Sequence, residues 1–268
     1  DFLFTFHELN GVTPTEKTLC GLHEKVLVSS QFSKNVFGAN GIDTSVVNIG
    51  FDDDIQELDK KYLPDTTHFG LIGKWEKRKN TEKIIKTWLK LFGNNRKYRL
   101  TCLVENPFLK PEQMQGLIAR TLEGKEWWNV SFLPRLSSNA EVVDFYNAID
   151  VDLSGLSSAE GWNLPAFNAT CLGKWSCVGN HTAHKDWVNK YNCVLVEPSG
   201  EIEPWDGTFF QKGAPFNQGT VYEISEESMK EAMIRADALA KVPNPDGKKL
   251  KEKFTYQNTL SQILGAIT

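Results

Sequence analysis

Three groups of residues in this 268-residue chain have types and spacing suited to holding an anion or a polyol. The first is Ser157-Ser158-Ala159-Glu160-Gly161-Trp162-Asn163-Leu164-Pro165-Ala166-Phe167-Asn168. Glu160 is the single acid in a small-residue loop, placed to accept hydrogen bonds from sugar hydroxyls. Asn168 follows about one turn into a helix that starts near Pro165, where its amide can bond a ribose hydroxyl. The first N–H groups of such a helix lack partners and lie at the positive end of its dipole, so they suit an anion. The plain alternative is a strand, loop and helix with an exposed Glu.

The second group is Gly73-Lys74-Trp75-Glu76-Lys77-Arg78-Lys79-Asn80. Gly73 permits a ligand to approach the backbone. Lys74 and Lys79 can converge on phosphate beside the next helix start. The Walker pattern G-x-x-x-x-G-K-[ST] is absent, and a solvated basic loop is the plain alternative. The third is His7, at the end of a strand in a separate N-terminal piece. A lone His is more often structural than functional. Asp52-Asp53-Asp54 could suggest a metal, but adjacent residues point different ways, and charge runs are usually solvated.

These residues need a scaffold, and hydropathy supplies one. Strands are expected at 1–6, read as buried, and at 25–30, 45–49, 69–73, 98–104, 130–133, 148–153, 175–178 and 192–196. Helices are expected at about 31–37, 79–92, 111–122, 139–148 and 165–172, with another between the last two strands. Thr13-Pro14-Thr15-Glu16 reads as a helix start with Pro in the first turn. In 79–92, Ile84, Ile85, Trp88 and Leu91 recur at helical spacing. Strands alternating with helices predict an α/β fold with a doubly wound parallel sheet. The key residues then fall at the carboxyl ends of strands, where ligands of such sheets bind. Residues 197–222, rich in Gly, Pro and aromatics, interrupt the alternation as a hairpin-like insertion with a turn signal at Asp206-Gly207. Its aromatics suit packing or a substrate or subunit contact. Two helices, 225–241 and 247–265, close the chain.

Composition narrows the function. The chain is 40% hydrophobic and 24% charged with a net charge of −4, so it has no overall basic field to recruit nucleic acid. No apolar run approaches the ~20 residues of a membrane span. Cys20, Cys102, Cys171, Cys177 and Cys193 show no C-x-x-C pair, so each reads as a buried structural thiol. A reducing, cytoplasmic setting is expected.

In order and spacing, these segments resemble the retaining GT-B-type glycosyltransferases of family 4, group 1. Glu160-Gly161-Trp162-Asn163-Leu164-Pro165 resembles that family's E-G-F-G-L-P segment, which opens its E-x7-E motif. Gly73-Lys74 and Lys79 resemble its G-[RK] and K-G phosphate site. Thr5-Phe6-His7 is similar to the T-F-H that carries its active-site His. Val28-Ser29-Ser30-Gln31-Phe32-Ser33, Val47-Asn48-Ile49-Gly50-Phe51-Asp52 and Phe254-Thr255-Tyr256-Gln257-Asn258-Thr259 resemble its interdomain and C-terminal segments. The resemblance runs from about residue 2 to 264. It departs at Asn168, where the motif has its second acid.

The resemblance implies residues 1–52 as the end of an acceptor-side domain, most of it missing. It implies 53–268 as a Rossmann-like domain that binds a nucleoside diphosphate sugar. Glu160 and His7 would be catalytic. Lys74, Lys79, Gly73, Gly161, Trp162, Asn163, Leu164 and Asn168 would bind the donor. No metal or other cofactor is expected, because cations would stabilise the leaving diphosphate. A front-side retaining path is favoured, since no second acid is evident beside Glu160. The acceptor would be a hydroxyl of a glycan, lipid or protein-linked sugar. A nucleotide-sugar-binding module without turnover stays open, as does a homo-oligomer.

Overall fold

The structure is a computed structural model describing residues 1–58, 62–206 and 209–268. Its main sheet contains β4 (Thr67–Lys74), β5 (Tyr98–Glu105), β6 (Val130–Phe132), β7 (Val151–Gly155), β8 (Trp175–Gly179) and β9 (Val194–Val196), all parallel. Before it come β1 (Phe2–Thr5), β2 (Lys25–Val28) and β3 (Ser45–Val46), which form a separate three-stranded parallel sheet in that order. The main sheet has the order β6-β5-β4-β7-β8-β9. The order in which strands are added therefore reverses between β4 and β7, the switch point where doubly wound sheets open a crevice.

Helices α1 (Pro14–Cys20) and α2 (Gln31–Ala39) belong to the small sheet. Around the main sheet lie α3 (Thr81–Phe92), α4 (Pro111–Thr121), α5 (Asn139–Ala148), α6 (Leu164–Cys171) and α7 (Glu226–Leu239). The Thr13 cap forms in full: its hydroxyl accepts from the Glu16 N–H, and the Glu16 carboxylate returns to the Thr13 N–H at 2.8 Å. Periodicity in α3 buries Ile84, Ile85 and Trp88 against Phe69 and Leu100. β7 and β8 are buried along their whole length, as strands covered on both faces must be.

Four expectations need correction. β1 is a strand but not a buried one, because Phe2 and Phe4 project from a sheet edge into solvent. Between β8 and β9 the chain makes a short 3-10 turn, Thr182–Asp186, rather than an α-helix. The final helix divides into α8 (Pro245–Lys248), α9 (Leu250–Lys253) and α10 (Tyr256–Ile267). It breaks where the Phe254 carbonyl accepts from the Phe51 N–H at 2.7 Å and Thr255 caps α10. Residues 45–49 form only the two-residue β3, after which Asn48 turns to bond other segments.

The insertion is a two-stranded antiparallel hairpin, β10 (Gly200–Ile202) with β11 (Val221–Glu223), closed by the long segment 203–220. Gly207 of the expected Asp206-Gly207 turn lies outside the described residues. All five cysteines are free and buried, and burial raises the Cys193 thiol to about 12.

The small sheet faces the carboxyl ends of the large one. Ser29 Oγ donates to the Gly161 carbonyl at 2.6 Å. The Gln31 N–H donates to Asp186 Oδ2 at 2.8 Å, and Asn48 Nδ2 reaches the same oxygen at 3.3 Å. Helix α10 returns to the small sheet, where Gln262 accepts from the Asn48 N–H and Thr259 donates to the Asn48 carbonyl, each at 2.8 Å. Gly50 allows this return: a Cβ there would lie 2.6 Å from the Tyr256 nitrogen.

Candidate functional site

The two loops that flank the switch point are stitched together. After β4, residues 75–80 turn back across the sheet end. Asn80, in a left-handed conformation with φ 55°, begins α3 and sends its Nδ2 to the Leu156 carbonyl and Ser158 Oγ at 2.8 and 3.0 Å. The Ser158 N–H donates to the Arg78 carbonyl at 2.7 Å. Arg78 Nη1 donates to the Ala159 carbonyl at 2.6 Å. These bonds answer buried backbone groups that a loop would otherwise leave unpaired.

Glu160 sits at their meeting point and is only 3% exposed. Lys79 Nζ lies 2.5 Å from Glu160 Oε1, and Arg78 Nη1 lies 3.5 Å from Oε2. Burial alone would raise the carboxyl's pKa. The two cations outweigh it, Lys79 more than Arg78, and hold it at about 2. The Glu160 backbone is fixed from β8's side: its N–H donates to Thr182 Oγ1 at 3.2 Å, and its carbonyl accepts from the Ala183 N–H at 3.3 Å. Thr182 has φ 46°, which is costly for a β-branched residue and is imposed by these contacts.

Behind the loop, Asn163 begins α6 with φ 69°, and its Oδ1 accepts from the Ala166 N–H. Its Nδ2 donates to the Ser154 carbonyl and lies 3.0 Å from His184 Nε2. His184 Nδ1 lies 2.8 Å from the Gly179 carbonyl and must donate there, leaving Nε2 as the acceptor. The imidazole is thus neutral with one tautomer, and burial lowers its pKa to about 4 against the pull of Glu160.

The proposed donor-binding residues divide. Lys79, Gly161, Trp162 and Asn163 gather with Glu160. Trp162 turns inward and packs its ring on Phe167 and Phe254, each at 5.4 Å between centroids. Leu164 stays exposed at the start of α6. Among the described residues, Lys74 makes no hydrogen bond or ion pair with the Glu160 loop. It is exposed, lies 3.8 Å from Glu76, and edges a separate cavity of about 240 Å³ shared with Gly73, Glu105, Leu133 and Arg135. Gly73 has φ 142° and open space where a Cβ would stand, so its backbone is accessible. Asn168 hydrogen-bonds the buried Tyr146 hydroxyl on α5 and touches neither Glu160 nor Lys79 among the described contacts.

His7 reaches the junction from the small sheet. Its backbone nitrogen would lie 3.5 Å from a Cβ on Gly161. The ring is buried edge-on to Phe37 at 4.9 Å, with Nδ1 3.8 Å from Glu16 and, among the described residues, no hydrogen-bond partner at Nε2. Burial lowers its pKa.

Sequence reasoning missed Arg78, Glu8, Glu76 and Thr182. Arg78 Nη1 lies 3.1 Å from Glu8 Oε1, and Nη2 lies 3.3 Å from Glu76 Oε2. Two further acids therefore reach the guanidinium beside Glu160, contrary to the expectation of none nearby. Burial, before all else, raises the Glu8 pKa. Nothing in Lys77-Arg78-Lys79 marks which cation points inward. The Thr182 turn has no sequence signal, because its left-handed backbone is a conformation that a β-branched residue does not favour.

Among solved structures, the chain is similar to sucrose-phosphate synthase from Thermosynechococcus elongatus, with TM-score 0.65 and 15% identity over 92% of this chain and 58% of that one. It is similar to HepE of Anabaena in complex with UDP and glucose, with TM-score 0.74 and 14% identity over 99% of this chain and 70% of that one. It also matches the C-terminal domain of a glycosyl transferase group 1 family protein, LpcC, from Francisella tularensis, with TM-score 0.52 and 15% identity over 82% of this chain and 99% of that one. No protein-family model matches the sequence, and no curated protein matches it. The chain thus spans little more than half the length of the sucrose-phosphate synthase it resembles. At these identities the likeness establishes the GT-B-like α/β fold. Among the described residues, no helix is long and apolar enough to cross a membrane.

Proposed function

We propose that the chain carries the donor site of a retaining, metal-independent glycosyltransferase of the group 1 kind, which transfers a sugar from a nucleoside diphosphate to a hydroxyl acceptor. The observation that carries this reading is the contact of Lys79 and Arg78 with Glu160 at the switch point, beside the start of α6. The complexes of HepE with UDP, glucose and UDP-glucose support it.

The two cations have different roles. The Arg78 guanidinium is spent on Ala159, Glu8, Glu76 and Glu160, so it positions the loop. Lys79 is partly exposed and has three donors, of which Glu160 uses one. It can meet the diphosphate and stabilise the charge that builds on the leaving oxygen. Lys74 would approach the nucleotide from its own cavity beside Gly73.

With its pKa at about 2, Glu160 is a weak base and a weak nucleophile. It suits an acceptor of hydrogen bonds from the donor sugar. We therefore favour the front-side path. The bond from the anomeric carbon to the diphosphate oxygen breaks, the acceptor oxygen bonds the same face, and its proton passes to the departing phosphate. His7 would act from the opposite side of the junction.

A thermal-shift panel of UDP, GDP, ADP and their sugars tests the reading. Saturation at a hundredfold excess over Kd should stabilise the fold by ~2.7 kcal/mol. Lys79→Ala should remove the response to nucleotide and nucleotide sugar alike. Glu160→Gln should remove the extra response to the sugar. No response to any nucleotide would overturn the proposal.

A further inference from the structure

Loop 75–80 has a second side, turned away from Glu160. It walls two adjoining cavities beside residues 203–206 and 209–210, of about 430 Å³ and 330 Å³, which share Lys77, Asn80 and Asp206. The outer one is edged by Phe108 and Phe209. The inner one runs past Trp205 to Arg78 and Ser158.

Three large aromatic side chains here stay in solvent: Phe108 at 64%, Trp205 at 55% and Phe209 at 53% exposure. They are nevertheless held in place. Phe108 and Phe209 meet edge to face at 5.2 Å. Lys77 Nζ lies 3.0 Å from the centre of the Trp205 ring. Asp206 Oδ1 accepts from the Phe209 and Phe210 N–H groups at 2.8 and 2.9 Å. The hairpin itself is pinned to the N-terminal loop, where Asn10 Nδ2 donates to Glu201 at 2.8 Å and Gln218 to Glu16 at 2.5 Å.

Fixed, exposed rings interleaved with carboxylates and amides match the two-sided chemistry of a sugar. The apolar C–H face of a pyranose covers a ring, while its hydroxyls donate to Glu76 and Asp206 or exchange bonds with Asn80 and Asn106. The same carboxylates repel a polyanion. The polar lining would be left unpaired against an acyl chain.

We propose that this groove binds a neutral oligosaccharide, lying across Phe108 and Phe209 with its end near Trp205. This reading stands independently of the proposed transferase function.

The test is a printed array of neutral and anionic oligosaccharides probed with the whole chain. The best binder is then titrated into wild type, Phe108→Ala, Phe108→Leu, Trp205→Ala and Phe209→Ala, with UDP titrated in parallel. Neutral oligosaccharides should bind. Each variant should weaken binding roughly tenfold, as expected for the loss of an aromatic anchor. Phe108→Leu, which keeps bulk but loses the flat face, should weaken it too. UDP affinity should stay unchanged throughout. Absence of neutral binders, a preference for anionic glycans, or variants that bind like wild type would overturn the groove. Glycan binding without UDP binding would overturn the donor site and leave the groove standing.

Discussion

Glu160 and His7 approach one another across the same junction, and both are buried, yet their polarity is met in opposite ways. Glu160 is surrounded by charge: Lys79 at 2.5 Å and Arg78 at 3.5 Å keep it ionised. His7 packs edge-on against Phe37 with only Glu16 near its Nδ1, its Nε2 without a partner among the described residues and its pKa lowered by burial. A buried charge persists only when paired, whereas a neutral imidazole tolerates one unanswered nitrogen. The first residue is therefore bound into the stability of the fold, and the second is comparatively free of it. This contrast makes Glu160 the fixed wall of the site and His7 the side that can be altered without unfolding it.

The largest effect should follow removal of the fixed wall. Glu160→Ala leaves Lys79 and Arg78 without their shared partner and should cost about 3 kcal/mol in denaturant unfolding at neutral pH. An unchanged midpoint would mean that solvent already answers both cations. The junction should break next. A Cβ on Gly161 would lie 2.9 Å from Phe6 Cβ, so Gly161→Ala should destabilise by roughly 2 kcal/mol. Unaltered unfolding would show that the small sheet does not rest on the loop.

The pH profile sharpens the same comparison. Glu160 is held at about 2 against an ordinary 4.5. Its contribution is present above 4.5 and is lost as pH falls towards 2. Buried His184 stands at about 4 against an ordinary 6.5. The unfolded chain takes up that proton first, so stability already declines as pH falls from 6.5 towards 4. In Glu160→Ala, the decline below 4.5 should flatten and the one above it should persist. Unfolding titrations at successive pH values read both segments.

His7→Phe should be milder still. It keeps a ring against Phe37 and deletes the unanswered nitrogen, so stability should move by less than about 1 kcal/mol. Transfer should fall roughly a hundredfold if the ring assists the reaction. A stability loss as large as that of Glu160→Ala would erase the distinction between the two residues. Smallest is Phe4→Ser on the exposed face of β1, expected within about 0.5 kcal/mol.

Much of this arrangement was readable in the residues. The strand–helix alternation led to the doubly wound sheet, and Thr13 to Glu16 formed the cap that their spacing predicts. Ser29-Ser30-Gln31-Phe32-Ser33 proved legible by position but not by role. Ser29 binds the Gly161 carbonyl, while Ser30 caps α2 and Ser33 reaches the His7 carbonyl. Burial of β1 was misjudged because an aromatic strand reads alike whether its face is covered or bare. Three successive cations could not be sorted because side-chain direction in a loop has no period. Lys77 turns to Trp205, while Arg78 and Lys79 turn to Glu160. Thr182 was hidden because its role comes from a strained turn that no propensity favours.

The most direct test is a crystal structure of the chain soaked with UDP and, separately, with a UDP-sugar. The proposed donor site predicts the diphosphate within hydrogen-bonding reach of Lys79 Nζ and the sugar's hydroxyls on the Glu160 carboxylate. A diphosphate bound away from the Lys79–Glu160 pair, or a sugar that leaves Glu160 untouched, would contradict it.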